Sequence, residues 1–214
     1  MANRAATHAE TRGDHWDAAY RRVEPTQVSW YQPRPVVSLE LISELRVPLD
    51  APVLDVGGGA STLVDHLLAK GFLDVTVLDV SAAALAMTRD RLGGDARLQL
   101  VPADIVSWRP VRQYNLWHDR ALFHFLVDDA DRRGYLEVLR SAVRPGGHAI
   151  IAGFAPEGPQ RCSGLQVARY GPEELGALLG GAFEIADVRR EQHTTPAGVD
   201  QPFTWVAARA RSGH

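Results

Sequence analysis

Between residues 52 and 154 the chain alternates short, nearly continuous apolar blocks with longer stretches in which apolar residues recur every three or four positions. The blocks "PVLDV", "DVTVLDV", "RLQLVPAD", "YNLWHDR" and "HAIIAGF" read as strands. The stretches between them read as helices. "STLVDHLLAKG" sets Leu63, Leu67 and Leu68 on one side, with Gly71 near its end; "SAAALAMTRDRLG" has Ser81 placed to cap it; "DADRRGYLEVLRSAVRPGG" is closed by Pro-Gly-Gly. Upstream, "HWDAAYRRV" puts Trp16 and Tyr20 on one helical face, Pro33 and Pro35 hold the chain extended, and a helical pattern runs from about Val36 to Leu45. Downstream come a loop, "APEGPQRCSGLQVARY", a helix from Pro172 to about Leu179, and two strands, "FEIADVRREQH" and "PFTWVAARA", around the loop "TTPAGVDQ".

Strands that alternate with helices predict an α/β fold, a parallel sheet with helices on both faces. The last two strands are joined by too short a link for a parallel crossover and are expected to pair antiparallel. The domain layout expected is a disordered tail over residues 1–14, one domain over 15–208 whose N-terminal segment 15–45 precedes the sheet, and a flexible tail over 209–214.

Composition narrows the possibilities. The chain has 214 residues, 45% of them hydrophobic and 23% charged, enough for one domain with a sizeable core. Its 26 acids and 23 bases leave a formal net charge of -3, so no global basic field exists to hold nucleic acid or an anionic membrane. One cysteine, Cys162, excludes an internal disulfide and a multi-cysteine zinc site, and no metal site is expected. With no long apolar span and no signal-peptide core, the expected location is the cytoplasm.

Candidate chemistry gathers at strand ends, where ligands bind in open parallel sheets. Gly57, Gly58 and Gly59 follow the first strand and allow backbone to lie against a ligand. Asp79 closes the second strand about 20 residues on, where a carboxylate accepts from both hydroxyls of a ribose. The third strand ends at Asp104 and Ile105, an acid and a backbone N–H that could pair with the amino group and a ring nitrogen of adenine. The combination fits nicotinamide or S-adenosylmethionine. Thr62 stands where the dinucleotide fingerprint requires its last glycine, which counts against a nicotinamide-dependent oxidoreductase.

Taken together, "VLDVGGGAS", "VTVLDVS", "VPADI", "YNLWHDRALFHFL" and "VRPGGHAIIAGF" resemble the class I S-adenosylmethionine-dependent methyltransferases over about residues 15 to 208. The front segment "HWDAAYRRVEPTQVSWYQ" and the loop "PEGPQRCSGLQVARY" look like a small bacterial subgroup with a W-Y-Q motif. That subgroup is distantly similar to thiopurine and tellurite methyltransferases and to lysine methyltransferases acting on elongation factor 1A or citrate synthase. The resemblance implies a Rossmann-like seven-stranded sheet with an antiparallel last strand. It implies S-adenosylmethionine as cofactor, with Asp55 and the Gly57–Gly59 loop around the methionine moiety, Asp79 with neighbouring Val80 at the ribose, and Asp104 and Ile105 at adenine. Trp30, Tyr31 and Gln32 would form part of a lid, the segment 15–45. The usual three-glycine pattern departs here at Ser61, in the third glycine position.

Methyl transfer from a sulfonium is an in-line displacement that needs an oriented nucleophile, exclusion of water and no metal. At the end of the fourth strand, Asp119 and His124 are the candidate catalytic residues, His124 as a base at neutral pH. Each has a plainer reading: His124 packed between Phe123 and Phe125, and Asp119 and Arg120 paired with each other or with the lid. Cys162, Tyr170, His193 and Gln201 lie in late loops on the same side and could shape the acceptor site. The acceptor expected is a small molecule with a sulfur, nitrogen or oxygen nucleophile, or alternatively a protein lysine; nucleic acid is not expected. A non-catalytic protein that binds the cofactor would keep the same loop. The short lid and full strand set are compatible with a monomer.

Overall fold

The computed structural model describes residues 11–212. Residues 1–10 of the tail expected over 1–14, and the last two residues of the tail expected over 209–214, lie outside it. The helix predicted around Trp16 begins earlier than the tail boundary allowed: α1 spans Arg12–Arg22, with Thr11 and Asp14 forming a reciprocal capping box at its start. A 3-10 turn, Pro25–Gln27, leads to α2, Val36–Glu44. The sequence then alternates: β1 (Val53–Val56), α3 (Leu63–Ala69), β2 (Val75–Asp79), α4 (Ala82–Leu92), β3 (Leu98–Pro102), β4 (Tyr114–Arg120), α5 (Asp129–Ala142), β5 (Val143–Phe154), β6 (Arg161–Cys162), β7 (Leu165–Gln166), α6 (Pro172–Leu179), β8 (Phe183–Thr194) and β9 (Asp200–Ala210).

Seven strands form one sheet in the order β3-β2-β1-β4-β5-β9-β8. The first five are parallel; β9 runs antiparallel to both β5 and β8. The predicted Rossmann-like sheet with its antiparallel last strand is thus observed. Strand order reverses between β1 and β4, which opens a crevice at their carboxyl ends. Alternate residues of each strand feed two cores. Val53, Val75, Val77 and Ile150 pack with α2, α3 and Leu85 of α4. Leu54, Val56, Leu78 and Trp117 pack with α5 and α6. On α5, Tyr135, Leu136, Val138, Leu139 and Ala142 repeat at helical spacing and are buried.

Two elements differ from the sequence reading. The strand expected to begin at His148 begins at Val143, because buried Val143 pairs in parallel with Tyr114 before a register shift. The helix therefore stops at Ala142, ahead of the Pro-Gly-Gly expected to end it. The loop after Phe154 contains the hairpin β6-β7, whose two-residue turn, Ser163 and Gly164, has φ of 49° and 80°. Positive φ at both turn positions matches the twist of a two-residue hairpin, and the Ser-Gly pair between Cys162 and Leu165 was its sequence signal. No helix among the described residues is long and apolar enough to cross a membrane.

Candidate active site

The glycine loop is tight for reasons its neighbours supply. Gly57 sits at φ +68°, and a Cβ there would lie 2.6 Å from Leu122 Cδ1. A Cβ on Gly58 would lie 2.3 Å from Asp55 Oδ2 and 2.8 Å from Val77 Cγ1. Asp55 is fixed in turn: its Oδ1 accepts from His118 Nδ1 at 2.8 Å, and His118 Nε2 lies 3.0 Å from Ser38 Oγ on α2. The Nδ1–H tautomer satisfies both contacts, with the Ser38 hydroxyl donating. Asp55 Oδ2 is buried and has no partner among the described residues.

At the end of β2, Asp79 Oδ1 accepts from the Ser81 N–H at 2.7 Å. Burial pushes its carboxyl up to about 7 against the pull of that N–H, and the nearby Asp55 and Asp17 carboxylates push the same way. At the end of β3, Asp104 accepts from the Val106 N–H and pairs with Arg12 of α1 at 3.1 Å. The same guanidinium pairs with Asp131 on α5. Asp17 of α1 accepts from Ser81 Oγ and from the Ala83 N–H, and so caps α4 from a neighbouring helix. Trp16 lies edge-on to both Trp30 (5.7 Å between ring centroids) and Phe125 (4.9 Å).

These elements enclose two connected clefts. The larger, about 970 Å³ including its open mouth, has Gly57, Asp79, Val80, Asp104 and Ile105 on one wall. Its other wall carries Arg120, His124, Phe154 and Phe203, and Trp16, Tyr20 and Trp30 also line it. The smaller, about 550 Å³, is lined by Tyr31, Gln32, Asp55 and Gly58. Tyr20, Trp30, Gly57 and Arg120 belong to both. Of the residues singled out in sequence, Gly59 and Asp119 reach neither cleft. Gly59, at φ +44°, instead gives its carbonyl to Thr88 Oγ1. Among the late-loop candidates, Cys162 and Gln201 line the larger cleft, whereas Tyr170 and His193 do not; His193 Nε2 donates to the Ser29 carbonyl at 2.7 Å.

The two candidate catalytic residues take other parts. Asp119 has no exposed surface, and both its oxygens are used. Oδ1 accepts from the Leu122 N–H, and Oδ2 accepts from the Phe123 N–H and from Tyr135 Oη at 2.6 Å. Tyr135 Oη accepts in turn from Trp117 Nε1 at 2.9 Å. Asp119 therefore fixes the turn 119–125 from behind, away from the reacting space. Tyr135→Phe should cost about 1–3 kcal/mol, because it strips a donor from one buried group and an acceptor from another. A melting point within a degree of wild type would contradict this.

His124 lines the larger cleft, but its Nδ1 accepts from the Phe154 N–H at 3.3 Å. Its proton thus sits on Nε2, which is buried without an acceptor. Burial, and then the nearby Arg120 charge, push its pKa down to about 3. Both effects favour a neutral donor at neutral pH over the base expected of it. Its ring proton shifts, followed by NMR, should stay flat from pH 5 to 9; an inflection near the ordinary histidine value would restore the base.

Arg120 is the residue the sequence reading undervalued. The signal available was a cation at the end of an otherwise buried strand. It pairs with the front segment, donating from Nη1 to the Trp30 carbonyl at 3.0 Å, and not with Asp119. The aromatic rings at Phe154 and Phe203 were also missed, because each sits in a run that reads simply as core.

Comparison with known proteins gives a consistent answer. Residues 54–149 match the family model described as a methyltransferase domain. Malonyl-[acyl-carrier protein] O-methyltransferase 2 of Ilyobacter polytropus is 24% identical over 106 residues, 49% of this chain and 40% of that protein. EEF1A lysine methyltransferase 2 of Mus musculus is 30% identical over 83 residues, 35% of this chain and 34% of that protein. The matches thus span well under half the length of these curated relatives. The solved structure of Burkholderia thailandensis 1,6-didemethyltoxoflavin-N1-methyltransferase, with 1,6-didemethyltoxoflavin and S-adenosylhomocysteine bound, shares the fold. It superposes with a TM-score of 0.69 at 23% identity, covering 92% of this chain and 84% of that one. Residues 54–149 of the chain thus match a methyltransferase domain, and its sheet shares the fold of a solved methyltransferase along nearly the whole chain.

Proposed function

We propose that the protein transfers a methyl group from S-adenosylmethionine to a sulfur, nitrogen or oxygen nucleophile on a small molecule. The observation that carries this is the convergence of the ends of β1, β2, β3 and β4 on the two joined clefts. The residues present fit the cofactor. Unpartnered Asp55 Oδ2, beside Gly58 on the smaller cleft, suits the methionine ammonium. Asp79 and Val80 on the larger cleft suit the ribose, and Asp104 and Ile105 the adenine. When bound, the sulfonium supplies an electrophilic methyl carbon. The chain's own contribution is to orient the acceptor and exclude water. His124 is held neutral and Asp119 is turned away, so the acceptor is one that presents a lone pair without a side-chain base. A lysine ammonium is disfavoured by the buried cation of Arg120 on the cleft wall.

The lid reading is refined by packing. Leu39, Leu41 and Ile42 of α2 are fully in the core, so the movable cover is the stretch up to Gln32, not to residue 45. Amide exchange over residues 12–32 is expected to slow when S-adenosylhomocysteine is added, more than in β8 and β9. Full protection without ligand would remove the lid. The function itself is tested by calorimetry with S-adenosylhomocysteine, NAD and NADP, followed by a coupled assay for S-adenosylhomocysteine release across small thiols, amines and acids and a lysine peptide. Binding of the nicotinamides alone, or turnover only on the peptide, overturns the small-molecule reading.

A further inference from the structure

The wall of the larger cleft beyond the glycine loop holds a buried cation whose hydrogen bonds are mostly unmade. The Arg120 side chain is 9% exposed. Its Nη1 donates to the Trp30 carbonyl, but Nε and Nη2 have no acceptor among the described residues. The nearest carboxylate, Glu191, lies 3.8 Å from Nε, beyond hydrogen-bond reach. Both Glu191 oxygens are already committed, Oε1 to Gln32 Nε2 at 2.6 Å and Oε2 to Trp205 Nε1 at 2.9 Å. The guanidinium lies over the Phe203 ring, 4.7 Å from its centroid, which fixes its plane from one side. On the same wall His124 carries a second buried donor without an acceptor, Nε2–H. Phe125, Phe154, Phe203 and Leu165 supply the apolar surface of this lobe, and Cys162 and Gln201 line the same cleft.

Buried donors left unmade are costly, and guanidinium N–H groups more so than neutral ones. A planar oxyanion is the group that takes two parallel N–H bonds from one guanidinium edge. We propose that this lobe binds the carboxylate of the methyl acceptor, forked onto Arg120 Nε and Nη2 and touched by His124 Nε2–H, with the apolar body of the acceptor among the phenylalanines. The acceptor class is thus a small carboxylic acid with an aromatic or aliphatic body. This rests on the methyltransferase reading. The same chemistry has a second source, the amino-acid carboxylate of the cofactor, because Arg120 also lines the smaller cleft. The acceptor is favoured because Phe203, over which the guanidinium lies, lines the larger cleft alone.

The test uses the full chain saturated with S-adenosylhomocysteine and the probe pair 4-phenylbutyrate and 4-phenylbutyramide, measured by calorimetry. The acid should bind about 10- to 100-fold more tightly than the amide, the range expected of a charge-assisted pair. Arg120→Gln should erase that preference and Arg120→Lys should keep part of it. The double variant Arg120→Gln/Glu191→Gln guards against unfolding caused by a stranded Glu191 and should behave as Arg120→Gln. S-adenosylhomocysteine should bind all three variants within threefold of wild type. A large loss that vanishes with 5′-methylthioadenosine, which lacks the amino-acid group, would assign the site to the cofactor and overturn the proposal. Equal binding of acid and amide to a wild type that holds S-adenosylhomocysteine would also overturn it and leave the methyltransferase reading standing. A wild type that does not bind S-adenosylhomocysteine would remove both.

Discussion

Gly58→Ala is expected to lower the affinity for S-adenosylhomocysteine at least 100-fold and the melting temperature by roughly 5–15 °C. The added Cβ would sit 2.3 Å from Asp55 Oδ2 and 2.8 Å from Val77 Cγ1, both far inside contact distance. Neither neighbour can yield cheaply. Val77 is buried in β2, and Asp55 is pinned through His118 to Ser38. Overpacking of a close-packed site costs about 1–3 kcal/mol and breaking a buried hydrogen bond about 1–3 more, and each kcal/mol is worth about 2–4 °C in a chain of this size. Binding suffers beyond the folding cost, since relief comes from moving the loop or Asp55, and both line the smaller cleft. Gly181→Ala is the matched control: no atom lies within 4 Å of its ideal Cβ. If Gly58→Ala binds within threefold of wild type, with an unshifted melting point, the loop is a turn and nothing more.

Asp79→Ala should weaken cofactor binding by about 10- to 100-fold, the worth of a charge-assisted hydrogen bond at about 1.5–3 kcal/mol. The companion substitution Asp79→Asn separates binding from folding. The carboxyl is raised to about 7 in the folded chain by burial. Between the ordinary carboxylate value and about 7, the folded state therefore holds a proton that the unfolded state has released. Stability of the ligand-free protein falls as pH rises through that window. Asp119, raised to about 6 by burial despite its hydrogen bonds, contributes in the same direction over a narrower range. Asparagine carries no charge and can still accept from the Ser81 N–H. Asp79→Asn should thus melt higher than wild type at pH 8, match it near pH 4, and still bind S-adenosylhomocysteine more weakly. A variant that melts lower at pH 8 would contradict the burial account, and one that binds normally would sink the ribose assignment. The cost of an ionised, buried Asp79 is then a stability sacrifice made at a binding site.

The sequence by itself determined the order of elements and the layers of this protein, because both rest on local periodicity. Apolar blocks such as "VTVLDV" can only be buried on both faces, and α5 carries its apolar stripe at helical spacing whatever surrounds it. The wall proposed for the cofactor was placed at one sheet edge for the same reason. Gly57, Asp79 and Asp104 lie at or just after the ends of β1, β2 and β3, and a parallel sheet brings successive strand ends to one edge. Boundaries failed where pairing overrode local signals, as where Val143 joined the sheet ahead of Pro145. The wall proposed for the acceptor was decided only by tertiary structure. Asp119 and Arg120 are adjacent in a strand, so their side chains must point to opposite faces: one meets Tyr135 on α5, the other Trp30 and Phe203. His124 looked like a base by residue type, yet the Phe154 N–H, its burial and the nearby Arg120 charge set its proton and its charge. Residue type sets what a group can do, but burial and the partner 30 or 80 positions away set what it does, and no local pattern in the chain encodes that distance.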